Sequence, residues 1–442
     1  MLRRPIWESE FTFTASMSSL LRTSFDAMVP YLIICFFCTS ILLGEDWPKW
    51  RGPRGDGTWL GPPIAKDLPP DGLARVWRAS IYPGYSGVTV KNGAVFVMDR
   101  PPVESHGETE RVVCLDALSG TEKWTFSYPS EYRNLDYGKG PRAALTIHGN
   151  FVLGFGAMGH AFCLNAKNGH KVWFRNLVAD ENASMPMWGF SSSPEVLDDF
   201  VLMHAGGRPS GSVIALDLKT GQTKWKAGSD QMAGYAPPLV IRRGGRREMI
   251  CWGPNRIMGL PIGAANELWR IPYEVKYGVA ITKPIFHEGI ALVSGYWSGT
   301  RAILLGEKTG DAKLLWSEKE KLCGLMSQPL YKEGLCYLLD RRNGLSCFDL
   351  RTGRIFWTDG HLLTAAGRNP QASLVWAGKE NEVLALNAEG ELVYLRLNKI
   401  GYHEYWRDQL IGKTWAHPAY AGNRVYARSD GELICCELPL RK

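Results

Sequence analysis

The chain has 442 residues, of which 45% are hydrophobic, which is enough for a large folded core. Its net charge of +7 is spread over the sequence, so the composition indicates a solvated surface or a patch for anionic polymers or lipid headgroups, and we expect no nucleic-acid partner. The 48 glycines and 26 prolines are typical of a protein with many turns and argue against a helical fold.

Residues 1–44 are predicted to be a leader. The stretch 28–44 is the only long apolar run, and it suits the hydrophobic region of a signal peptide better than a membrane span of about 20 residues. We therefore expect an exported protein, either periplasmic or associated with the cell envelope. An uncleaved membrane tether through residues 28–44 is the alternative.

Residues 45–72 form a second segment, which is rich in Gly, Pro and Trp. Its start, Asp46-Trp-Pro-Lys-Trp-Arg-Gly, cannot form a strand of any length because prolines and glycines interrupt it. We expect this segment to lie across the folded domain, with Trp47 and Trp50 as anchors.

A strand–turn–strand motif recurs from residue 73 to the C-terminus. In its clearest copy, 112–124, apolar residues alternate along a strand, Asp116 opens a turn, Gly120 closes it, and a tryptophan follows. Equivalent tryptophans recur at intervals of 41 to 52 residues: Trp77, Trp124, Trp173, Trp225, Trp269, Trp316, Trp357 and Trp406. A period in the forties that consists only of short strands predicts the four-stranded blade of a β-propeller.

The number of blades follows from the strands that begin each repeat. These inner strands are expected to start near Ser86, Arg142, Ser192, Ala236, Ala280, Ser327, Gln371 and His417. The last repeat has only three strands, and the unmatched strand around Trp77 can supply the fourth. The sequence therefore predicts an all-β, eight-bladed propeller of four-stranded antiparallel blades over residues 73–442, monomeric and closed by the N-terminal strand pairing in the last blade.

The phrase Leu-Asp-x-x-Thr-Gly-x-x-x-Trp, found intact at 216–225, resembles the tryptophan-docking repeat of the pyrroloquinoline-quinone-like (PQQ-like) propellers. That family includes quinoprotein alcohol dehydrogenases and the propeller lipoprotein of outer-membrane protein assembly. The Trp-Pro start at Trp47 is similar to the segment that precedes the propeller in exported planctomycete-type members. The recurring Gly-His and Trp-Asp pairs of WD-repeat propellers are not found.

Two cysteine pairs could form disulfides. Cys336 and Cys347 are equidistant from Arg341-Arg342, so a hairpin centred there would place them face to face, whereas a bulge would shift the register. Quinoprotein alcohol dehydrogenases carry a vicinal disulfide against the cofactor, which Cys435-Cys436 resembles, but neighbouring side chains in a strand point to opposite faces. Otherwise the cysteines are typical of core positions, and none has the spacing of a metal site.

Candidate ligand-binding residues come from the loops around the central channel. Loops that lead into the inner strands and loops that leave the second strands meet at one mouth of this channel. The candidates there are aromatic or basic: Tyr85, Arg142, Trp188, Arg208, Trp297, Arg341, Arg368 and Trp415. Such residues can stack on a flat ring or a sugar and hold carboxylates; alternatively, the aromatics cap the blade ends and the arginines pair with nearby acids.

No catalytic motif accompanies these candidates. The resemblance implies PQQ, Ca²⁺ and a catalytic Asp, but the family's ligands have no residue-by-residue match in this chain. We therefore predict an exported, non-catalytic scaffold without a cofactor that binds a protein, a glycan or a small ligand. The alternatives are a divergent PQQ- and Ca²⁺-dependent oxidoreductase acting on alcohols or sugars, and a hydrolase or lyase with His160 or His417 as its base.

Overall fold

The structure is a computed structural model that describes residues 44–133, 135–207, 211–324 and 326–441. The predicted leader and its apolar run therefore lie outside the described residues, apart from Gly44. Within the described ranges, no helix is both long enough and apolar enough to cross a membrane.

Eight antiparallel four-stranded blades make up the fold and confirm the predicted eight-bladed propeller; Thr58–Trp59 adds a fifth, parallel strand to the sheet of blade 7. Blades 1 and 2 comprise Thr89–Lys91, Ala94–Asp99, Thr109–Asp116 and Glu122–Pro129, then Thr146–His148, Phe151–Phe155, His160–Asn165 and Lys171–Asn176. Blades 3 and 4 comprise Glu195–Leu197, Phe200–His204, Val213–Asp217 and Thr223–Ala227, then Leu239–Arg243, Arg246–Trp252, Arg256–Pro261 and Trp269–Pro272.

The second half of the ring repeats this plan. Blades 5 and 6 comprise Ile285–His287, Ile290–Gly295, Gly299–Leu305 and Ala312–Glu318, then Leu330–Lys332, Leu335–Asp340, Gly344–Asp349 and Ile355–Thr358. Blades 7 and 8 comprise Ala372–Ala377, Glu382–Asn387, Glu391–Leu397 and Tyr402–Gln409, then Ala419–Ala421, Arg424–Arg428, Glu432–Glu437 and Arg75–Ser80. The described helices are single turns at Val103–His106, Leu177–Glu181 and Lys276–Gly278.

The ring closes through the N-terminal strand, as predicted. Arg75–Ser80 pairs antiparallel with Glu432–Glu437 and places Trp77 opposite Cys435. The last blade thus combines strands from both ends of the propeller domain. Its outer strand comes from the same chain, so the sheet edge is paired within the molecule.

Five of the recurring tryptophans link a blade to the next one through an indole hydrogen bond, and Trp406 donates to Ala65 instead. Trp77 donates its indole N–H to the carbonyl of Ala117 at 3.1 Å, and Trp124 donates to Ala166 at the same distance. The turn glycine makes room for the ring, because a Cβ on Gly120 would lie 2.6 Å from Trp77. The indole nitrogens of Trp225 and Trp269 lack a described partner, and these two rings precede blades 4 and 5, where the repeat phrase is weakest.

The hairpin register that would place Cys336 and Cys347 face to face is not formed. Cys336 lies opposite Phe348, and Cys347 lies opposite Tyr337, because the hairpin turn between Asp340 and Gly344 holds three residues and not two. The register is therefore shifted by one position, and the two thiols point to opposite faces. Cys435 and Cys436 are likewise free, buried thiols.

Residues 45–59, which we name the plug segment, run across the inner strands of the propeller. Trp47 bridges to Val90 of blade 1, and the carbonyl of Pro48 accepts the N–H of Ile147 of blade 2 at 2.7 Å. At its far end Thr58–Trp59 pairs parallel with the inner strand of blade 7. The segment therefore spans the central channel.

An ion triplet fixes the plug segment to the channel wall. Glu195 of blade 3 accepts from Lys49 of the plug at 2.8 Å and also pairs with Lys283, which leads into blade 5. Burial by itself raises the pKa of Glu195, but the two ammonium groups outweigh it, so the pKa lies below its ordinary value.

Candidate functional site

A cavity of about 280 Å³ opens at the channel face where the chain enters the inner strands. Every blade contributes one residue to its base, just ahead of the inner strand: Gly87, Ala144, Ser193, Pro237, Ile281, Gln328, Gln371 and His417. Val90 and Ile147, which contact the plug segment, lie three residues after Gly87 and Ala144, on the inner strands that these two residues precede. Trp50 of the plug segment therefore forms the floor, with its ring edge-on to His417 at 5.5 Å between centroids.

One wall of the cavity is a cluster of three aromatic rings. Tyr85 and Trp415 stack at 6.0 Å with 30° between their planes, and Tyr137 packs on Trp415 at 5.9 Å. Tyr137 keeps 48% of its surface exposed, so part of this wall is available to a ligand.

A second wall is a longer row of aromatic side chains. Trp188 contacts Tyr235 at 6.0 Å and Tyr277 at 6.3 Å, and Tyr277 meets Trp297 edge-on at 5.6 Å. Trp297 also packs against Tyr296 at 4.5 Å and stays 40% exposed. Two groups of aromatic side chains therefore line the mouth of the cavity.

Arg142 lines the cavity, but most of its donors are already used. Its guanidinium donates to the carbonyls of Trp188 at 2.9 Å, Tyr137 at 2.8 Å and Asp136 at 3.0 Å, and also to Gly140. Burial lowers the pKa of this group. Arg142 therefore positions the loops that carry one aromatic from each wall, and four of its five N–H groups are used, which leaves too few for a bidentate contact with a ligand.

The other predicted arginines differ in position. Arg368 lines the cavity, is exposed, and donates to no acceptor among the described residues, while its carbonyl accepts from the Tyr296 hydroxyl at 3.0 Å. Arg341 does not line the cavity; its guanidinium lies 4.3 Å from the centroid of the Tyr296 ring, behind the wall. Arg208 falls outside the described residues.

The base of the cavity carries neutral hydrogen-bonding groups. The Oε1 atom of Gln328 accepts from the backbone N–H of Lys283 at 2.7 Å, and that of Gln371 accepts from Ser327 at 3.4 Å. These bonds orient both amides, so that each NH₂ group, without an acceptor in the described parts of the chain, is left for the cavity.

The two histidines considered as bases lie in different surroundings. His417 is at the cavity base with Nδ1 2.9 Å from the Ser373 hydroxyl, and burial, followed by the positive charge of Arg51, lowers its pKa to about 3. Such an imidazole is neutral at pH 7. His160 does not line the cavity; it stacks on Phe174 at 5.5 Å, and burial lowers its pKa as well.

The cavity does not fit a PQQ–Ca²⁺ pair. Ca²⁺ needs six to eight oxygen ligands, usually with carboxylates among them. None of the residues that line the cavity is Asp or Glu, and the described ranges contain no cluster of three His, Cys, Asp or Glu side chains placed to hold a metal.

Six of the eight predicted site residues line this one cavity: Tyr85, Arg142, Trp188, Trp297, Arg368 and Trp415. Trp50, Gln328 and Gln371 were not among the candidates. Aligning the repeats on their inner strands points to the two glutamines, because they hold the position filled by Gly87 and Ala144 in blades 1 and 2. Trp50 has no such signal, since it belongs to no repeat.

Comparison with known proteins agrees with the fold. Residues 67–236 match the family model described as "Outer membrane protein assembly factor BamB". No curated protein matches the chain significantly.

Solved structures with the same architecture are functionally diverse. Quinohemoprotein alcohol dehydrogenase from Comamonas testosteroni is 14% identical, with 90% of this chain and 81% of that chain covered and a TM-score of 0.62. The designed protein Ika8 is 13% identical, with 83% and 100% covered and a TM-score of 0.55. The C-terminal WD40 domain of Sif2 is 9% identical, with 84% and 99% covered and a TM-score of 0.56.

At these identities the structural likeness shows the fold alone, since one partner is an enzyme, one a design and one a WD40 domain. The family match is more specific because it covers copies of the Asp–Gly–Trp repeat. Together these findings confirm that the chain resembles the PQQ-like β-propellers in its repeat and in its fold.

Proposed function

We propose that this protein is a non-catalytic binding protein whose channel-mouth cavity takes a sugar ring of a glycan. The observation that carries the proposal is a cavity lined by two groups of aromatic side chains and by two oriented amide groups. The C–H faces of a sugar pack on aromatic rings, and its hydroxyl groups accept from amide donors. The cavity's 280 Å³ lies near the lower end of the range for ligand pockets, about 300–1,000 Å³, so it suits one or two rings.

The closed floor favours the end of a glycan over its middle. Trp50 blocks passage through the channel, and Trp47 of the same plug segment is buried. A chain that runs through the propeller has no path, whereas a terminal unit can enter from the mouth.

The titratable groups of the cavity support binding without chemistry. General acid–base catalysis needs a group whose pKa is close to the working pH, and the pKa of His417, about 3, is far below it. The lining residues include no carboxylate that could act with it. We also propose an exported protein, on the strength of the apolar run 28–44 and the outer-membrane name of the matching family model.

The test is a titration of the full-length chain with a panel of short oligosaccharides, in which tryptophan fluorescence reports binding. Saturable binding is expected to weaken about tenfold or more in Trp415→Ala and in Trp297→Ala, because each change removes a stacking surface. Phe356→Ala removes a partly buried aromatic ring outside the cavity and should leave affinity unchanged.

Two results would contradict the proposal. One is the absence of saturable binding by every oligosaccharide in the panel. The other is Ca²⁺-dependent binding of PQQ with reduction of a dye by alcohols or sugars, which would make the cavity an active site.

A further inference from the structure

We propose that the sugar ring in this cavity is acidic and carries a carboxylate or a sulfate group, with Arg368 as its contact. This inference rests on the proposed function and names the ligand class for the same site. It is carried by the balance of charges in and beneath the cavity.

The lining itself contains two guanidinium groups and no acid. Arg142 and Arg368 both line the cavity, and no salt bridge joins either of them to a carboxylate of the described residues. Glu110 is buried behind Tyr132, whose hydroxyl donates to it, and its charge opposes the effect of burial on the pKa of Arg142. At the rim Lys139 and Asp430 pair at 2.5 Å and cancel each other.

Under the floor the positive charges of Lys49, Lys283 and Arg51 outnumber the carboxylates of Glu195 and Asp56. Lys49 and Lys283 share the single carboxylate of Glu195. Arg51 is 5% exposed, and it donates to the carbonyls of Asp56 at 2.8 Å and Pro329 at 3.2 Å. Buried charges are screened less by salt than exposed ones, so this excess of cations acts on a ligand above it.

His417 provides a second sign of this positive field. After burial, the charge of Arg51 is the other cause that lowers its pKa. A field that opposes protonation of an imidazole at the cavity base favours an anion at the same place.

Arg368 is the group that can meet the anion directly. Unlike Arg142, it has no acceptor for its N–H groups among the described residues, and its backbone is held by the Tyr296 hydroxyl at 3.0 Å. A guanidinium that is free at a cavity mouth can bind carboxylate or sulfate oxygens through two parallel hydrogen bonds.

The experiment compares ligands that differ only in charge, with the full-length chain. Trigalacturonate is titrated beside its methyl ester, and a sulfated galactose oligomer beside the unsulfated one, at low salt and at about 0.5 M salt. The acid is expected to bind about tenfold tighter than the ester, in keeping with a charge-assisted hydrogen bond, and high salt should reduce this preference.

Arg368→Gln should reduce the preference to about twofold or less while binding of the ester stays the same. Arg396→Gln is the matched control: Arg396 is an exposed arginine of blade 7 outside the cavity, and the preference should survive its loss. The sulfated arm shows whether carboxylate or sulfate is preferred.

Equal affinity for the acid and the ester, together with equal affinity for the sulfated and the unsulfated oligomer, would overturn this inference and leave the proposed sugar binding intact. A preference that persists in Arg368→Gln would overturn the role given to Arg368. If the neutral and acidic sugars all fail to bind, the proposed function itself is wrong.

Discussion

The contact between Gly120 and Trp77 allows the closure of the ring to be tested with a single methyl group. Gly120 belongs to blade 1, and Trp77 lies in the N-terminal strand of blade 8. A Cβ at Gly120 would approach Trp77 to 2.6 Å. Gly93, in another turn of blade 1, has the same φ of +72°, but a Cβ there meets nothing within 4 Å.

The two glycines separate backbone strain from steric clash. Alanine at positive φ costs about 1–2 kcal/mol at either site. At Gly120 the added methyl group also overpacks the contact with the indole, which costs about 1–3 kcal/mol more. We therefore expect Gly120→Ala to lose about 2–5 kcal/mol of unfolding free energy, and Gly93→Ala about 1–2 kcal/mol.

Urea unfolding, monitored by tryptophan fluorescence, measures the unfolding free energy of both variants. A double-mutant cycle with Trp77→Ala should remove the additional loss at Gly120, because the clashing ring is then absent. Equal destabilisation by Gly120→Ala and Gly93→Ala would show that the contact with Trp77 adds no steric cost.

Three further predictions follow from buried groups. Glu195→Gln leaves two buried ammonium groups without a carboxylate and should cost about 3–5 kcal/mol in chemical denaturation, whereas Glu389→Gln, in an exposed pair, should cost less than about 1 kcal/mol. Burial lowers the pKa of His204 from 6.5 to about 4. The unfolded chain takes up this proton first on acidification, so unfolding free energy should fall by about 3 kcal/mol between pH 6.5 and 4, and His204→Gln should lack this part of the pH dependence. Thiol titration of the denatured, unreduced chain should find all eight cysteines of the described ranges free, and a disulfide between Cys336 and Cys347 would contradict the observed register.

Features that depend on neighbouring residues were predictable from the sequence. The carboxylate of Asp116 accepts from the N–H groups of Leu118 and Ser119 at 3.0 and 3.1 Å, and Gly120 adopts positive φ two residues after Leu118. A turn of this kind is determined by five consecutive residues. Its copies can therefore be recognised in the sequence, and they revealed the blades and the closing strand.

Register was harder to predict, because one hydrogen bond can change it. Asp340 accepts from the N–H groups of Arg342 and Asn343, both at 2.8 Å, and this holds a three-residue turn where a two-residue turn was expected. The identities of Cys336 and Cys347 contain no information about that choice.

The sequence by itself determined the eight blades, the closure by Trp77, and most of the aromatic residues at the channel mouth, because each depends on a local repeat or on its absence. Only the tertiary structure decided that Trp50 closes the channel. It also decided that Arg142 donates to loop carbonyls, whereas the guanidinium of Arg368 has no acceptor among the described residues. These properties arise from contacts between residues far apart in the chain. The residue type determines which bonds a side chain can form, and the fold determines which partners lie within its reach.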